Sequence, residues 1–340
     1  MSTDAVGGVW TYASELRCAL AAEGVEVVLA TLGPQPPPEP HGAWLNCRLE
    51  WQDDPWQDVH AAGEWLREQA EASQADLVHL NGYTHAALAW EVPVVVVAHS
   101  CVLSWHEAVR GVPAGPAWER YREAVRAGLR GADAVVAPTA AMRRALRRLY
   151  DARPCLVIPN GVSPHPAAPA PREPLVLGAG RLWDEAKGLD ALDAAARGLC
   201  WRVEVAGAAS GRVAQHAVLL GQIDRMQLRT RMGRAAIFAH PARYEPFGLA
   251  VLEAALARCA LVLGDIDSLR EQWDGAALFV VPGDTAALRA ALERLIGDAA
   301  LRAELAAAAH ARARRRQIGA TAAGYLELYA RLRAQGRVAA

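Results

Sequence analysis

Two glutamates, Glu245 and Glu253, stand eight positions apart in a segment that follows a short apolar run. We expect Glu245 in the loop that leaves a strand and Glu253 about two turns into the next helix. The backbone N–H groups of Phe247 and Gly248 would then lie at a helix N-terminus, where phosphate or hydroxyl oxygens bind. The two oxygens of Glu253 could accept both hydroxyls of a ribose. Taken alone, the pair is explained equally well without a ligand, by one glutamate as an ordinary first-turn residue and the other on the solvated face of the helix.

Arg181 and Lys187 form a second candidate pair, six positions apart after another apolar run. A planar guanidinium and a compact ammonium can hold a diphosphate from two sides, at roughly 1.5–3 kcal/mol per charged hydrogen bond. Lys187 is the one lysine among the 36 basic residues of the chain. Its retention where arginine is used everywhere else favours a specific ammonium contact. Chance survival on a solvated helix start is the alternative.

Two further positions in the first half of the chain could face a ligand. Gly7 and Gly8 precede a predicted helix over residues 10–23, and glycines let the backbone approach an anion at a helix N-terminus. His99 ends the most apolar predicted strand, and the carboxyl ends of parallel strands are where ligands bind. A structural turn and a satisfied core histidine are the commoner explanations of these residues.

Short apolar runs alternate with longer amphipathic segments, which predicts parallel sheets with helices on both faces. Thr139 and Asp224 are expected to cap two of the helices. Strands are expected at residues 25–31, 76–80, 93–98, 134–137, 156–158, 175–180, 201–207, 216–221, 235–240, 260–264 and 277–281.

The predicted fold class is therefore α/β, with two Rossmann-like, doubly wound parallel-sheet domains facing a central cleft. We place the first domain at residues 1–162, a proline-rich linker at 163–174 and the second domain at 175–318. Only MSTDAV precedes Gly7, which is too short and too polar for a complete buried strand. The first strand of the N-terminal domain should be missing or reduced to a stub at 3–6, with the true start of the chain upstream.

Length and composition agree with a two-domain enzyme. The 340 residues are 53% hydrophobic and 21% charged with a net charge of −1, which argues against nucleic acid as a partner. No apolar run approaches the roughly 20 residues of a membrane span, and no leader pattern is present, so we expect a cytoplasmic protein. The six cysteines are widely spaced, without a metal-ligand pattern, and are expected to be reduced.

Taken together, these motifs resemble the retaining glycosyltransferases of family 4, which have the two-Rossmann architecture called GT-B. The resemblance covers nearly the whole chain and includes GGVWTYASEL, VVAPTAAM, VIPNGV, GRLWDEAKG and YEPFGLAVLEA. The glutamate pair combined with the arginine–lysine pair is specific, whereas either pair alone is not. The resemblance also implies that a last helix, at residues 319–340, crosses back to the first domain.

The resemblance implies a nucleotide diphosphate sugar as donor, UDP- or GDP-linked, held mostly by the second domain. Arg181 and Lys187 would hold the diphosphate, Glu253 the ribose and Glu245 the transferred sugar, while His99 would meet that sugar near the reacting carbon. The residues expected to bind the donor are Gly7, Gly8, Arg181, Lys187, Glu245, Phe247, Gly248, Leu249 and Glu253. Those expected to take part in catalysis are His99, Glu245, Arg181 and Lys187. No cofactor and no bound metal is expected.

We see no carboxylate in the first domain placed as a nucleophile, and therefore favour same-face transfer with stabilisation of the departing diphosphate. A glycan, lipid-linked or small-molecule acceptor on the first domain is expected, with a role in cell-envelope polysaccharide synthesis. An arginine-rich stretch over residues 110–148 predicts contact with an anionic surface, either the inner face of a membrane or a phosphate-bearing acceptor, and a solvated pair of helices explains the same stretch at least as well. A nucleotide-sugar epimerase of the same fold and a binding scaffold without turnover are the alternative functions.

Overall fold

Two separate α/β units make up the chain in a computed structural model. It describes residues 1–5, 7–36, 42–152, 155–163, 171–208, 211 and 213–335. Unit 1 consists of Met1–Gly161 and Ile318–Ala340, and unit 2 of Val162–Gln317. Most of the predicted proline-rich linker lies outside the described residues.

The strands of unit 1 are β1 (Ser2–Asp4), β2 (Ala30–Leu32), β3 (Ala43–Leu45), β4 (Val78–Leu80), β5 (Val94–Val97), β6 (Ala134–Ala137) and β7 (Cys155–Val157). Its helices are α1 (Gly8–Ala22), α2 (Trp56–Ala72), α3 (Val102–Arg110), α4 (Glu119–Gly131), α5 (Ala140–Tyr150) and α12 (Ile318–Gln335). The strands of unit 2 are β8 (Glu173–Ala179), β9 (Arg202–Ala206), β10 (Val218–Gly221), β11 (Ala235–His240), β12 (Ala260–Gly264) and β13 (Leu278–Val280). Its helices are α6 (Leu189–Ala196), α7 (Arg225–Arg234), α8 (Leu249–Leu256), α9 (Asp267–Trp273), α10 (Thr285–Gly297) and α11 (Ala299–Ala313). Short 3₁₀ helices lie at Thr84–Ala87, Pro116–Trp118 and Glu185–Lys187.

The sheet of unit 2 is parallel and has the strand order β10-β9-β8-β11-β12-β13. Its central strands β11 and β12 are buried along their whole length, as continuous apolar runs require when helices cover both faces. The chain winds from β8 outward to β10 and then returns to β11 on the other side of β8. The carboxyl ends of β8 and β11 therefore flank the point where the winding reverses, the usual ligand position in open parallel sheets.

The strands of unit 1 form two parallel ladders, β1-β2-β3 and β4-β5-β6-β7. Side-chain hydrogen bonds connect β1 to the residue that follows β4. The amide Nδ2 of Asn81 donates to the carbonyl of Ser2 at 2.7 Å, and its backbone N–H donates to the Ser2 hydroxyl at 3.2 Å. The first strand is therefore short, as predicted, but β1 covers Ser2–Asp4 whereas the predicted stub covered residues 3–6, of which residue 6 lies outside the described residues.

The predicted extent of the second strand, residues 25–31, is wrong. β2 covers only Ala30–Leu32, because β1 offers it three partners, from Ser2 opposite Ala30 to Asp4 opposite Leu32. Just before Ala30 the pairing is reduced to single bonds, since the carbonyl of Val28 accepts from the Met1 amine at 2.7 Å and that of Leu29 from the N–H of Ala43 at 3.1 Å. β3 is absent from the predicted strands because three residues cannot display a period.

The predicted caps are confirmed, and one of the capped helices is anchored in an unusual way. Thr139 accepts from the N–H of Met142, and Asp224 forms a reciprocal capping box with Gln227 at the start of α7. α7 has few buried apolar residues, and arginine side chains attach it to the neighbouring strands of unit 2. Arg231 donates to the buried carboxylate of Glu204 at 2.5 Å, and Arg234 pairs with Glu173.

The last helix, α12, packs within unit 1, against α1. The ring of Tyr325 lies 6.4 Å from that of Tyr12, and the Thr321 hydroxyl donates to the Pro159 carbonyl at 2.8 Å. Within the described residues, none of the helices is long and apolar enough to cross a membrane.

Candidate active site

The loops that follow β8 and β11 carry two of the predicted residues to the same place. The ammonium Nζ of Lys187 donates to Oε2 of Glu245 at 2.8 Å, and both side chains are largely buried, at 13% and 15% exposure. The ring Nε2 of His240, the last residue of β11, lies 3.1 Å from the same oxygen. One carboxylate oxygen is therefore shared by a cation and an imidazole at the reversal point of the sheet.

This arrangement keeps Glu245 ionised. Burial by itself would raise the pKa of the Glu245 carboxyl, but the Lys187 ammonium and the hydrogen bond from His240 outweigh burial and hold the pKa well below its usual range. His240 is almost fully buried, and its Nδ1 has no hydrogen-bond partner within the described residues. The site can therefore present both a negative carboxylate and a positive ammonium to a ligand.

Arg181 is tied to the same loop as Lys187 through Asp184. Its guanidinium donates to Oδ2 of the buried Asp184 at 2.7 Å and lies 5.1 Å from the ring centroid of Trp183. The other carboxylate oxygen of Asp184 accepts from the N–H of Ala186 at 3.1 Å and so caps the 3₁₀ turn that ends at Lys187. One carboxylate thus positions both cations.

The loop after β11 delivers the N-terminus of α8 next to Glu245. Gly248 adopts φ +89°, which glycine tolerates, and α8 begins at the following residue, Leu249. The buried Phe247 is fixed through its carbonyl, which accepts from Gln272 at 2.7 Å. This arrangement can bind hydroxyl or phosphate oxygens in the way that helix N-termini do.

Glu253 lies inside α8, as predicted from its spacing, but its carboxylate already has partners. Arg225 and Arg229 of α7 both donate to Oε1, with their terminal nitrogens at 2.7 and 2.9 Å. The expected use of both carboxylate oxygens for a ribose therefore does not fit this arrangement, because Oε1 is occupied. Sequence reasoning missed the two arginines, which on an exposed helix resemble solvated charges.

In unit 1 the predicted His99 belongs to a buried polar cluster centred on Asn81. Because the Asn81 amide nitrogen donates to Ser2, its Oδ1 is the acceptor, and it lies 2.8 Å from Nε2 of His99 and 3.3 Å from Nε2 of His79. Both rings therefore carry their proton on Nε2. The Tyr329 hydroxyl donates to Nδ1 of His79 at 2.6 Å.

Gly7 and Gly8 lie at the start of α1, as predicted. Gly7 adopts φ +73° at the N-cap position, and Gly8 is the first helical residue. Both glycines are exposed. Their expected role in approaching a phosphate stays a prediction.

Lowering the pH from about 7 to about 5 is expected to destabilise unit 1. Burial lowers the pKa of both His79 and His99 from 6.5 to about 3, so between these values the unfolded chain binds protons that the folded unit does not. The stabilisation is complete above pH 6.5 and is lost as the pH falls toward 3. For His79 the loss reaches about 2 kcal/mol of unfolding free energy at about pH 5.

Thermal unfolding followed by circular dichroism across this range would test the expectation. His79→Gln should flatten the pH dependence, since the substituted chain has one fewer group to titrate. An unfolding temperature that does not change between about pH 7 and about pH 5 would show that these rings are not held neutral.

The described residues include no group of three or more histidine, cysteine, aspartate or glutamate side chains arranged to hold a metal ion.

Like the two arginines of α7, His240 and Asn81 were not among the predicted site residues. His240 could have been found from the sequence, since it ends a buried parallel strand as His99 does. Asn81 carries no such signal, because its role depends on a pairing with Ser2.

Known proteins match both units. The family model for Glycosyltransferase Family 4 covers residues 6–165, and that for Glycosyl transferases group 1 covers residues 173–298. A D-inositol 3-phosphate glycosyltransferase of Xylanimonas cellulosilytica is 31% identical over 96% of this chain and 92% of its own length.

Solved structures share the fold over nearly the full length. Sucrose-phosphate synthase from Thermosynechococcus elongatus has a TM-score of 0.76 at 23% identity, covering 96% of this chain and 93% of its own. Anabaena Alr3699/HepE in complex with UDP and glucose has a TM-score of 0.75 at 16% identity, covering 96% of both chains. The two doubly wound units have the GT-B fold, and with the full-length relative they establish that this chain is a glycosyltransferase and belongs to glycosyltransferase family 4.

Proposed function

We propose that this glycosyltransferase moves a sugar from a nucleotide diphosphate, UDP- or GDP-linked, to an acceptor hydroxyl with retention of anomeric configuration. The observation that carries the proposal is the juxtaposition of Lys187, Glu245 and the N-terminus of α8 where the winding of the unit 2 sheet reverses. Cationic groups match a diphosphate, whereas a carboxylate and free N–H groups match sugar hydroxyls. The shared fold with a protein solved with UDP and glucose supports the same donor class.

In this proposal the two cations of the loop after β8 act on the leaving group. Arg181 and Lys187 hold the diphosphate, and Glu245 with the N–H groups of residues 247–249 holds the hydroxyls of the sugar. Glu253 holds the ribose. His99 and the glycines at the start of α1 contribute from unit 1, which also takes the acceptor.

The transfer is proposed to occur on one face of the sugar. The bond between the anomeric carbon and the diphosphate oxygen breaks, and the acceptor oxygen forms its bond on the same side. The acceptor proton passes to the departing phosphate oxygen, so no enzyme-bound sugar forms. Stabilisation of the negative charge that develops on the diphosphate by Arg181 and Lys187 is the main contribution of the protein.

Three finer features belong to the same proposal. Arg181 and Lys187 supply the positive charge at the diphosphate, so transfer is proposed to require neither cofactor nor metal. The proposed acceptor is a glycan, a lipid-linked molecule or a small molecule. Peripheral contact with an anionic membrane stays a prediction, and part of the positive charge of residues 110–148 is already neutralised, as where Arg148 pairs with Glu107 at 2.6 Å.

Thermal-shift screening of UDP-, GDP- and ADP-sugars would identify the donor, since a ligand at about 100 times its Kd adds about 2.7 kcal/mol to stability. With the donor known, transfer to a panel of sugar and polyol acceptors, with and without EDTA, should give a product of retained configuration in both cases. Isomerised donor in the absence of acceptor would instead indicate an epimerase. Tight donor binding without turnover across the panel would indicate a scaffold.

A further inference from the structure

Glu253 is held on one side only. Nε and the terminal nitrogen of Arg225 lie 2.9 and 2.7 Å from Oε1, and the corresponding atoms of Arg229 lie 3.2 and 2.9 Å from the same oxygen. Within the described residues, every hydrogen bond of this carboxylate goes to Oε1. The Glu253 side chain is only 8% exposed, so this geometry is set in a nearly dry environment.

The chemical consequence is an asymmetric carboxylate. Four N–H groups exceed the two lone pairs of Oε1, so this oxygen has no capacity left for a ligand. The two guanidinium groups also oppose rotation about the last side-chain torsion, because rotation would break all four of these hydrogen bonds. Oε2 is left as the oxygen that can accept a hydrogen bond from a hydroxyl, in a fixed direction.

The arginines are themselves fixed, because α7 is anchored at several points. Its N-terminus is closed by the capping box of Asp224 and Gln227. Further along the helix, Arg231 donates to the buried Glu204 and Arg234 pairs with Glu173. Arg225 and Arg229 therefore approach Glu253 from a helix whose position is determined independently of any ligand.

We infer that Arg225 and Arg229 are positioning residues that aim Oε2 of Glu253 at the ribose hydroxyls and so give the site its preference for ribonucleotides. The inference rests on the proposed function, which assigns the ribose to Glu253. It replaces two-oxygen recognition by one-oxygen recognition, with the other oxygen committed to the protein. The preference for ribose over 2′-deoxyribose or 3′-deoxyribose then depends on both arginines, although neither arginine touches the nucleotide in this role.

Calorimetric titration would test the inference with the ribonucleoside diphosphate that binds most tightly among UDP, GDP and ADP, together with its 2′-deoxy and 3′-deoxy forms. The wild type should prefer the ribonucleotide over at least one deoxy form by about tenfold or more, the value of one hydrogen bond to a charged group. In the double variant Arg225→Gln, Arg229→Gln this ratio should fall to about threefold or less. Affinity for the deoxy forms should stay within about threefold of the wild type.

Retained affinity for the deoxy forms separates lost positioning from a collapsed pocket. Arg231→Gln is the matched control, since it removes a charge from the same helix but contacts Glu204, and it should keep the wild-type ratio. An undiminished ratio in the double variant would overturn the inference but not the proposed function. Tighter binding of the ribonucleotide by the double variant would do the same, because it would show that the arginines compete with the ribose for Glu253. A wild type that binds none of the three nucleotides would overturn the proposed function and the inference together.

Discussion

Replacing Lys187 by alanine is expected to lower kcat/KM for transfer by about 10²- to 10³-fold, the loss that follows removal of one preorganised charge-stabilising donor. The ammonium is the closest cation to Glu245, at 2.8 Å, and sits where the departing diphosphate is proposed to gain charge. The substitution also leaves a buried carboxylate without its cation. We therefore expect the unfolding free energy to fall by roughly 3–5 kcal/mol, so kinetics should be measured well below the new unfolding temperature.

Lys187→Arg separates charge from shape at this position. The lysine stem passes close to the backbone, since a Cβ at Gly180 would lie 3.3 Å from Cγ of Lys187. A planar guanidinium is wider than the ammonium and cannot occupy the same position, so turnover should fall by about tenfold or more despite the preserved charge. Wild-type turnover in Lys187→Arg would remove the argument that the single lysine of the chain is required here.

Glu245→Gln and Glu253→Gln should have different effects on two ligands. Glu245→Gln is expected to lower kcat/KM about 10²-fold while changing the Kd of the free nucleoside diphosphate by less than about twofold. Glu253→Gln should weaken donor and free nucleotide alike, by about tenfold or more. The reason is that the ribose is common to both ligands, whereas the transferred sugar is present only in the donor.

Titration of the free nucleoside diphosphate and of the intact donor into each variant would measure these effects, with steady-state transfer rates alongside. Retained unfolding temperatures would serve as the control for folding. Equal losses of free-nucleotide affinity in the two variants would contradict the assignment of the two glutamates to different parts of the donor.

The strands of unit 2 and the edge of the sheet that carries the site could be predicted because long apolar runs mark buried parallel strands. Lys187 and Glu245 are 58 positions apart in the chain, yet each follows such a run, and parallel strands bring their carboxyl ends to one edge. The same rule applied to β11 would have included His240. The sequence was therefore sufficient for the residues in the loops that leave these strands.

The rest depended on contacts that have no period. The two arginines of α7 bind Glu253 only because α7 and α8 are neighbours, and their spacing does not distinguish them from solvated charges. Asn81 orients His99 only because Ser2 accepts its amide hydrogen from another ladder. The short extent of β2 likewise follows from the length of its partner strand β1. That length cannot be predicted from residues 25–31 themselves.

The placement of α12 in unit 1 has a consequence for how the chain folds during synthesis. Unit 2 is continuous, so all of its residues have been translated before α12 begins at Ile318. The packing around α1 in unit 1 cannot be completed until then, because Tyr325 packs on Tyr12 and Tyr329 completes the hydrogen bonds of His79. On the ribosome, unit 2 should therefore reach its native state before unit 1, because the packing of unit 1 is completed only when α12 has been translated.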